Sequence, residues 1–141
     1  MQPVTAGVLD ARNRVWMAPL TRNRADQDGT PNDLQVEYYS QRAEAGMIIS
    51  EGSQPSLIGQ GYPRTAGVAT DANEAGWKRV ADAVHAEGGL LVVQFMHAGR
   101  ISHTETINGE TPVSSTTTQA AGQIFTDNGP QDHTRPRALA T

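Results

Sequence analysis

Three short apolar runs, separated by segments long enough to hold a helix each, constrain this chain more than any other feature. They are Arg14-Val15-Trp16-Met17-Ala18, Met47-Ile48-Ile49-Ser50 and Leu90-Leu91-Val92-Val93-Gln94-Phe95. Pro19 stops the first, since proline cannot donate to a central ladder, and Glu51-Gly52 closes the second. Within each run the apolar residues are continuous rather than alternating, as in strands buried on both faces of a parallel sheet. Their starts lie roughly 35 to 45 residues apart, enough for right-handed crossovers between parallel neighbours.

The intervening segments read as the crossover helices. In Thr30-Pro31-Asn32-Asp33, Thr30 can cap, Pro31 suits the first helical position and Asp33 favours the positive end of the helix. Leu34, Tyr38 and Ala45 would share its buried side, and Gly46 would end it. Thr70 or Asp71 opens a second helix with Glu74 in its first turn. There Trp77, Val80, Ala81 and Val84 form one apolar stripe, and Gly88-Gly89 closes the element. Both tryptophans, Trp16 and Trp77, are expected in the core. The alternation of strand and helix predicts α/β architecture.

From Met96 onward the pattern changes. Thr, Gly, Pro, Ser and Asn dominate, including the Ser114 to Thr118 cluster, and so long a loop signals function or disorder. Thr134-Arg135-Pro136-Arg137-Ala138-Leu139 reads as the start of another helix, capped by Thr134 or Pro136. Three strands and two complete helices leave sheet edges that expect neighbours, and a closed barrel of such units takes about 250 residues. The 141 residues are therefore expected to be a single partial domain, residues 1–141, comprising three strands, two helices and the long loop.

Charge and composition narrow the function. A net charge of −4 without any run of like charge argues against nucleic acid, which requires clustered Lys and Arg. The absence of cysteine removes disulfides, thiolate metal sites and a Cys nucleophile. The first residues lack the order of a signal peptide, and the longest apolar run, Leu90 to Val93, is too short for a bilayer. A soluble, cytoplasmic protein without membrane partners is expected.

The polar residues of interest fall just after the strands: Thr21 after the first, Gly52 after the second, Gln94 at the end of the third. In parallel β/α folds these ends share one face, which carries the site. A hydroxyl, an exposed glycine backbone and a carboxamide make a neutral set suited to the edge of a heterocycle. Each also has an ordinary explanation, a turn cap for Thr21 and backbone geometry for Gly52. His97 and His103, with Glu105 nearby and His85 and His133 elsewhere, raise a metal-dependent hydrolase as an alternative. Their spacing matches no helical ligand pair, so no metal site is assigned. His97 is expected to order its loop through backbone hydrogen bonds and His85 to lie on the helix surface. Arg100 and Arg137 are expected to brace the long loop by pairing with carboxylates.

Several separated motifs then agree in order: Asn13-Arg14-Val15-Trp16-Met17-Ala18-Pro19-Leu20-Thr21-Arg22, Tyr38-Tyr39-Ser40-Gln41-Arg42-Ala43, Ile48-Ile49-Ser50-Glu51-Gly52, and Val93-Gln94-Phe95-Met96-His97-Ala98-Gly99-Arg100. Ser102-His103, Pro112-Val113-Ser114-Ser115 and Pro136-Arg137-Ala138-Leu139 follow. Over nearly its whole length the chain resembles the Old Yellow Enzyme family. The resemblance implies the N-terminal part of a (β/α)₈ TIM barrel, incomplete here, with FMN at its mouth and NADPH or NADH as reductant. It implies the reduction of activated C=C bonds. Pro19, Leu20 and Thr21 would lie against the isoalloxazine, with the Thr21 hydroxyl near flavin O4. Gly52 would offer its backbone to the same edge, and Gln94 would pair with the pyrimidine portion. Tyr62 would face the substrate, as would Met96, which stands where many relatives carry Trp; Arg137 would lie near the pocket mouth. The opening residues look shortened relative to the family. No catalytic residue is expected in this chain, because the family's proton donor, His/His or His/Asn pair and phosphate loop belong to later segments. FMN binding and turnover are thus expected to need a complementary C-terminal barrel segment, in the same chain or a second one. A non-catalytic half-barrel that self-associates through its sheet edges is the alternative from a different class.

Overall fold

The computed structural model describes residues 2–140. Its centre is a parallel sheet of three strands in the order β3-β4-β5, with β3 at Trp16–Met17, β4 at Met47–Ser53 and β5 at Leu91–Phe95. Helix α1, Asp33–Ser40, connects the first pair and α2, Asp71–Ala86, the second. The expected β/α alternation is therefore present, without closure into a barrel among the described residues.

Helix α1 starts later than the sequence suggests. Its cap is Asn32, not Thr30: the Asn32 side chain accepts from the Leu34 N–H, and Gln35 returns a bond to the Asn32 N–H in a capping box. The shift changes the helix phase. Gln35 and Tyr39 are buried, whereas Leu34, expected inside, is 58% exposed. Helix α1 also stops at Ser40, and turns rather than helix lead to Gly46. Helix α2 follows its expectation closely, with Thr70 accepting from the Asn73 N–H at 3.1 Å and Trp77, Val80 and Val84 buried, while Ala81, expected on the same stripe, is only half-buried. These residues join Ile48, Tyr39, Ala43, Ala25 and Ala66 in the core between sheet and helices.

Strand β4, between its two neighbours, is buried along nearly its whole length, as expected of a strand covered on both faces. The outer strands are not: Val92 is 37% exposed and Trp16 is 40% exposed, so that expectation fails for β3 and β5, and Trp16 does not lie in the core. The reason is geometric: among the described residues β3 and β5 each pair on one side only, and three strands cannot enclose their own inner face. Trp16 instead lines an open hollow of about 420 Å³ with Val15, Met17, Leu20 and Tyr38.

Two hairpins were not apparent from periodicity. Val4–Ala6 (β1) and Leu9–Ala11 (β2) pair antiparallel around Gly7, whose φ of 62° suits glycine. Arg12 ties this hairpin to the end of α2 by donating to the carbonyls of Glu87 and Gly88, where a helix terminus leaves acceptors free. In the long loop, Gln123–Thr126 (β7) and Gly129–Asp132 (β8) form the second hairpin, turning at Asp127-Asn128 with Gly129 at φ 93°. The segment expected to begin a helix is a strand. Val113–Ser114 (β6) pairs in parallel with Arg137–Ala138 (β9), the Arg137 N–H donating to Pro112 and the Leu139 N–H to Ser114, both at 2.9 Å. Thr134 and Pro136 imitate a helix cap, but the ladder to residues far upstream decides the conformation.

Candidate functional site

The parallel order places the C-terminal ends of β3, β4 and β5 on one rim. Gly52 and Gln94 are direct register partners. Thr21 follows β3 and is joined to the same place one residue on, where the Arg22 N–H donates to the Glu51 carboxylate at 3.1 Å. The three residues singled out from the sequence thus lie at the same end of the sheet, Gly52 and Gln94 side by side. Thr21 and Gln94 are exposed, Leu20 is 54% exposed and Pro19 is partly covered.

Gly52 departs from expectation. It is buried rather than exposed, because Met96 folds over it: a Cβ built on Gly52 would stand 3.0 Å from both Cβ and Sδ of Met96. The unbranched thioether can lie flat where a stiffer side chain could not. A side chain at this position would make Met96 give by a few tenths of an ångström.

Next to this glycine lies a feature the sequence reading missed. The register of β4 against β5 slips between Ile49 and Gly52, a bulge that inserts one residue at Ser50-Glu51. The Ser50 hydroxyl accepts from the Gln94 N–H at 3.0 Å and donates to the Glu51 carbonyl at 2.8 Å. The Glu51 side chain is fully buried and accepts from Gln35 Nε2 at 3.1 Å and the Tyr39 hydroxyl at 3.4 Å. Burial first, and then the neighbouring Glu51 carboxylate, push the Tyr39 phenol far above its ordinary value, so it stays a donor. The available signal was an acidic residue directly after a run of buried strand residues.

Tyr62 is 38% exposed on the segment that follows the short 3₁₀ turn Leu57–Gly59. That segment is fastened to the chain leaving β5, where the Ala98 N–H donates to Gly59 and the Ser102 hydroxyl to the Gln60 carbonyl. Arg137 lies exposed on β9; its partner strand β6 packs on the 3₁₀ turn Gly99–Ile101 just past β5. Arg137 therefore makes no carboxylate brace among the described residues. Arg100 does brace the loop, but on the Thr118 carbonyl and the Thr116 hydroxyl instead of carboxylates.

His97 Nδ1 accepts from the Gly99 N–H at 3.1 Å, and His85 is exposed on α2. Among the described residues no group of three or more His, Asp or Glu stands where a metal could be held. Glu105 turns instead to the second hairpin, accepting from the Thr126 hydroxyl at 2.8 Å and Asn128 Nδ2 at 3.1 Å. The Thr126 bond first, then that of Asn128, hold its carboxyl below the usual Glu range, with His103 adding to the effect. A depressed folded-state value means the tether is present above the ordinary Glu value and is lost as pH falls through the depressed one. The Thr126 and Asn128 amide resonances should shift in that acid window in the wild type and stay flat in Glu105→Gln. Amides that do not move in either protein would refute the tether.

Comparison with known proteins places this geometry in a family. Residues 1–135 match the NADH:flavin oxidoreductase / NADH oxidase family. The chain is 39% identical to 12-oxophytodienoate reductase 1 of Oryza sativa subsp. japonica, covering 100% of this chain and 36% of that protein. It is 37% identical to flavin oxidoreductase hxnT of Emericella nidulans, over 89% of this chain and 34% of the relative. The old yellow enzyme homologue from Zymomonas mobilis superposes with a TM-score of 0.95 at 41% identity, covering 99% of this chain and 39% of that one. Morphinone reductase in complex with tetrahydroNAD gives 0.91 at 44% identity, over 99% and 40% of the two chains. The chain thus spans little more than a third of the length of the relatives it matches.

Proposed function

This chain belongs to the NADH:flavin oxidoreductase / NADH oxidase family, and on that premise we propose that it forms the first flavin-contacting wall of a (β/α)₈ ene-reductase. The observation that carries this reading is the placement of Thr21, Gly52 and Gln94 at the same end of a parallel sheet. The donor set suits FMN: an exposed hydroxyl and an exposed carboxamide offer neutral hydrogen bonds to a heterocycle edge, beside the apolar Pro19 and Leu20.

When bound, FMN would supply the hydride chemistry between NADPH or NADH and the activated C=C bond of a small molecule such as an enone. The chain's own residues bind and orient. Thr21 would donate its hydroxyl to the ring edge where negative charge gathers on reduction, and Gln94 would offer both a donor and an acceptor. Pro19 and Leu20 would cover the ring and exclude water. Tyr62 and Met96 would line the substrate side, and Arg137 would stand at the mouth. The remaining wall, the phosphate site and the proton donor would come from a complementary C-terminal barrel segment, and the complex would work in the cytoplasm.

FMN fluorescence tests the reading. Quenching is expected when this chain is mixed with the C-terminal segment of a relative such as the rice reductase, and little or none with the chain alone. Failure of the pair to take up FMN would overturn it. The open edges of β3 and β5, with Phe95 68% exposed, favour a second reading as a self-associating half-barrel. A colourless, stable homo-oligomer on size exclusion, without flavin uptake, would select that one.

A further inference from the structure

We infer that the Ser50-Glu51 bulge is a positioning device that sets the two hydrogen-bonding residues of the rim, Thr21 and Gln94, at a fixed separation. The inference rests on the flavin reading of that rim. Each residue of the bulge holds one side of it: the Glu51 carboxylate accepts the N–H of Arg22, next to Thr21, and the Ser50 hydroxyl accepts the N–H of Gln94 itself.

Glu51 has the properties of a part placed for geometry. It is fully buried and forms no ion pair among the described residues. An uncompensated buried carboxylate is costly, and an apolar residue of similar size would commonly stabilise a core better. What offsets the cost is a set of donors aimed at both oxygens: the Arg22 N–H on Oε2, Gln35 Nε2 and the Tyr39 hydroxyl on Oε1. Tyr39 completes the frame by accepting the Glu51 N–H at 2.9 Å. Its raised phenol keeps it in the donor form toward the carboxylate. Without the extra residue at the bulge, the period of two would turn the side chain at this position to the other side of the sheet. Helix α1, strand β4 and the turn after β3 therefore converge on one carboxylate directly behind the rim. An error of about 1 Å in such a constellation can cost a hundredfold in function.

The test compares Glu51→Gln, Ser50→Ala and, as a control for general loosening of the core, Trp77→Phe. In the ¹⁵N-labelled chain, Glu51→Gln should speed amide exchange of Arg22 by about tenfold, the factor for one bond to a charged group, and leave Gln94 nearly unchanged. Ser50→Ala should do the reverse, by a few-fold, and Trp77→Phe should single out neither. An Arg22 amide equally protected in Glu51→Gln, or Arg22 and Gln94 opening together in all three variants, would overturn the device. Should Glu51→Gln fail to fold, Ser50→Ala decides the matter on Gln94 alone. With FMN and the C-terminal segment of a relative, Glu51→Gln should bind about tenfold more weakly and alter the visible flavin spectrum, while Trp77→Phe keeps the wild-type spectrum. Equal affinity and an identical spectrum would remove the positioning role. If even the wild-type pair takes up no FMN, the flavin reading fails and takes this role with it, although the amide exchange result still reports on the bulge.

Discussion

Replacing Gly46 with alanine is expected to lower the melting temperature by roughly 10 °C, corresponding to about 3 kcal/mol or more of lost stability. The added Cβ would run into the carbonyl oxygen of Asn13, an overlap no rotamer change can relieve because the obstacle is backbone. The same glycine donates its N–H to the Val15 carbonyl at 2.8 Å and to Asn13 Oδ1 at 3.0 Å. Asn13 in turn donates from Nδ2 to the Glu44 carbonyl at 2.9 Å and accepts the Val15 N–H at 2.9 Å. This staple fixes where β3 and β4 begin, so relieving the clash means breaking bonds that hold the strands in register. Each such bond contributes about 1 kcal/mol. Thermal denaturation followed by circular dichroism measures the effect, and a shift below roughly 3 °C would show that the strand starts are not held this way.

Trp77→Ala is expected to cost about 3 to 5 kcal/mol, the range for removing a large buried aromatic. The indole is 6% exposed, lies 5.9 Å from the Tyr39 ring at a tilt of 47°, and donates Nε1–H to the Gly67 carbonyl at 3.0 Å. It therefore joins α2 to α1 and to the segment that leads into α2. Trp77→Phe separates packing from polarity: it keeps most of the apolar volume and loses the hydrogen bond, so its cost should be nearer 1 to 2 kcal/mol by the same reasoning (about one bond plus a small void). Urea titration gives both numbers. Equal losses in the two variants would assign the whole effect to the indole N–H, and a negligible loss in Trp77→Ala would remove Trp77 from the core.

The sheet and its helices were legible because burial writes a period into the sequence. The run Leu90–Phe95 and the stripe of Trp77, Val80 and Val84 each match the structure within a residue or two. The rim was legible for a topological reason: residues that follow parallel strands share an edge, so Thr21, Gly52 and Gln94 could be grouped without any contact being known. What escaped depends on partners distant in sequence. Asn32 displaces Thr30 as the cap because Gln35 completes its box, and that one shift exchanges Leu34 for Gln35 on the buried side. The strand at Arg137–Ala138 depends on Val113–Ser114, and local cap signals there point the other way. Glu51 escaped because an acidic residue after a buried run does not by itself announce a bulge; the donors that make its burial tolerable come from residues 22, 35 and 39.

The single-sided pairing of β3 and β5 has a thermodynamic consequence. Any segment that hydrogen-bonds along either outer strand binds the folded chain and not the unfolded one, and so shifts the folding equilibrium by mass action. A melting temperature measured for this chain is then a property of the mixture as well as of the molecule, rising with the concentration of whatever lies alongside.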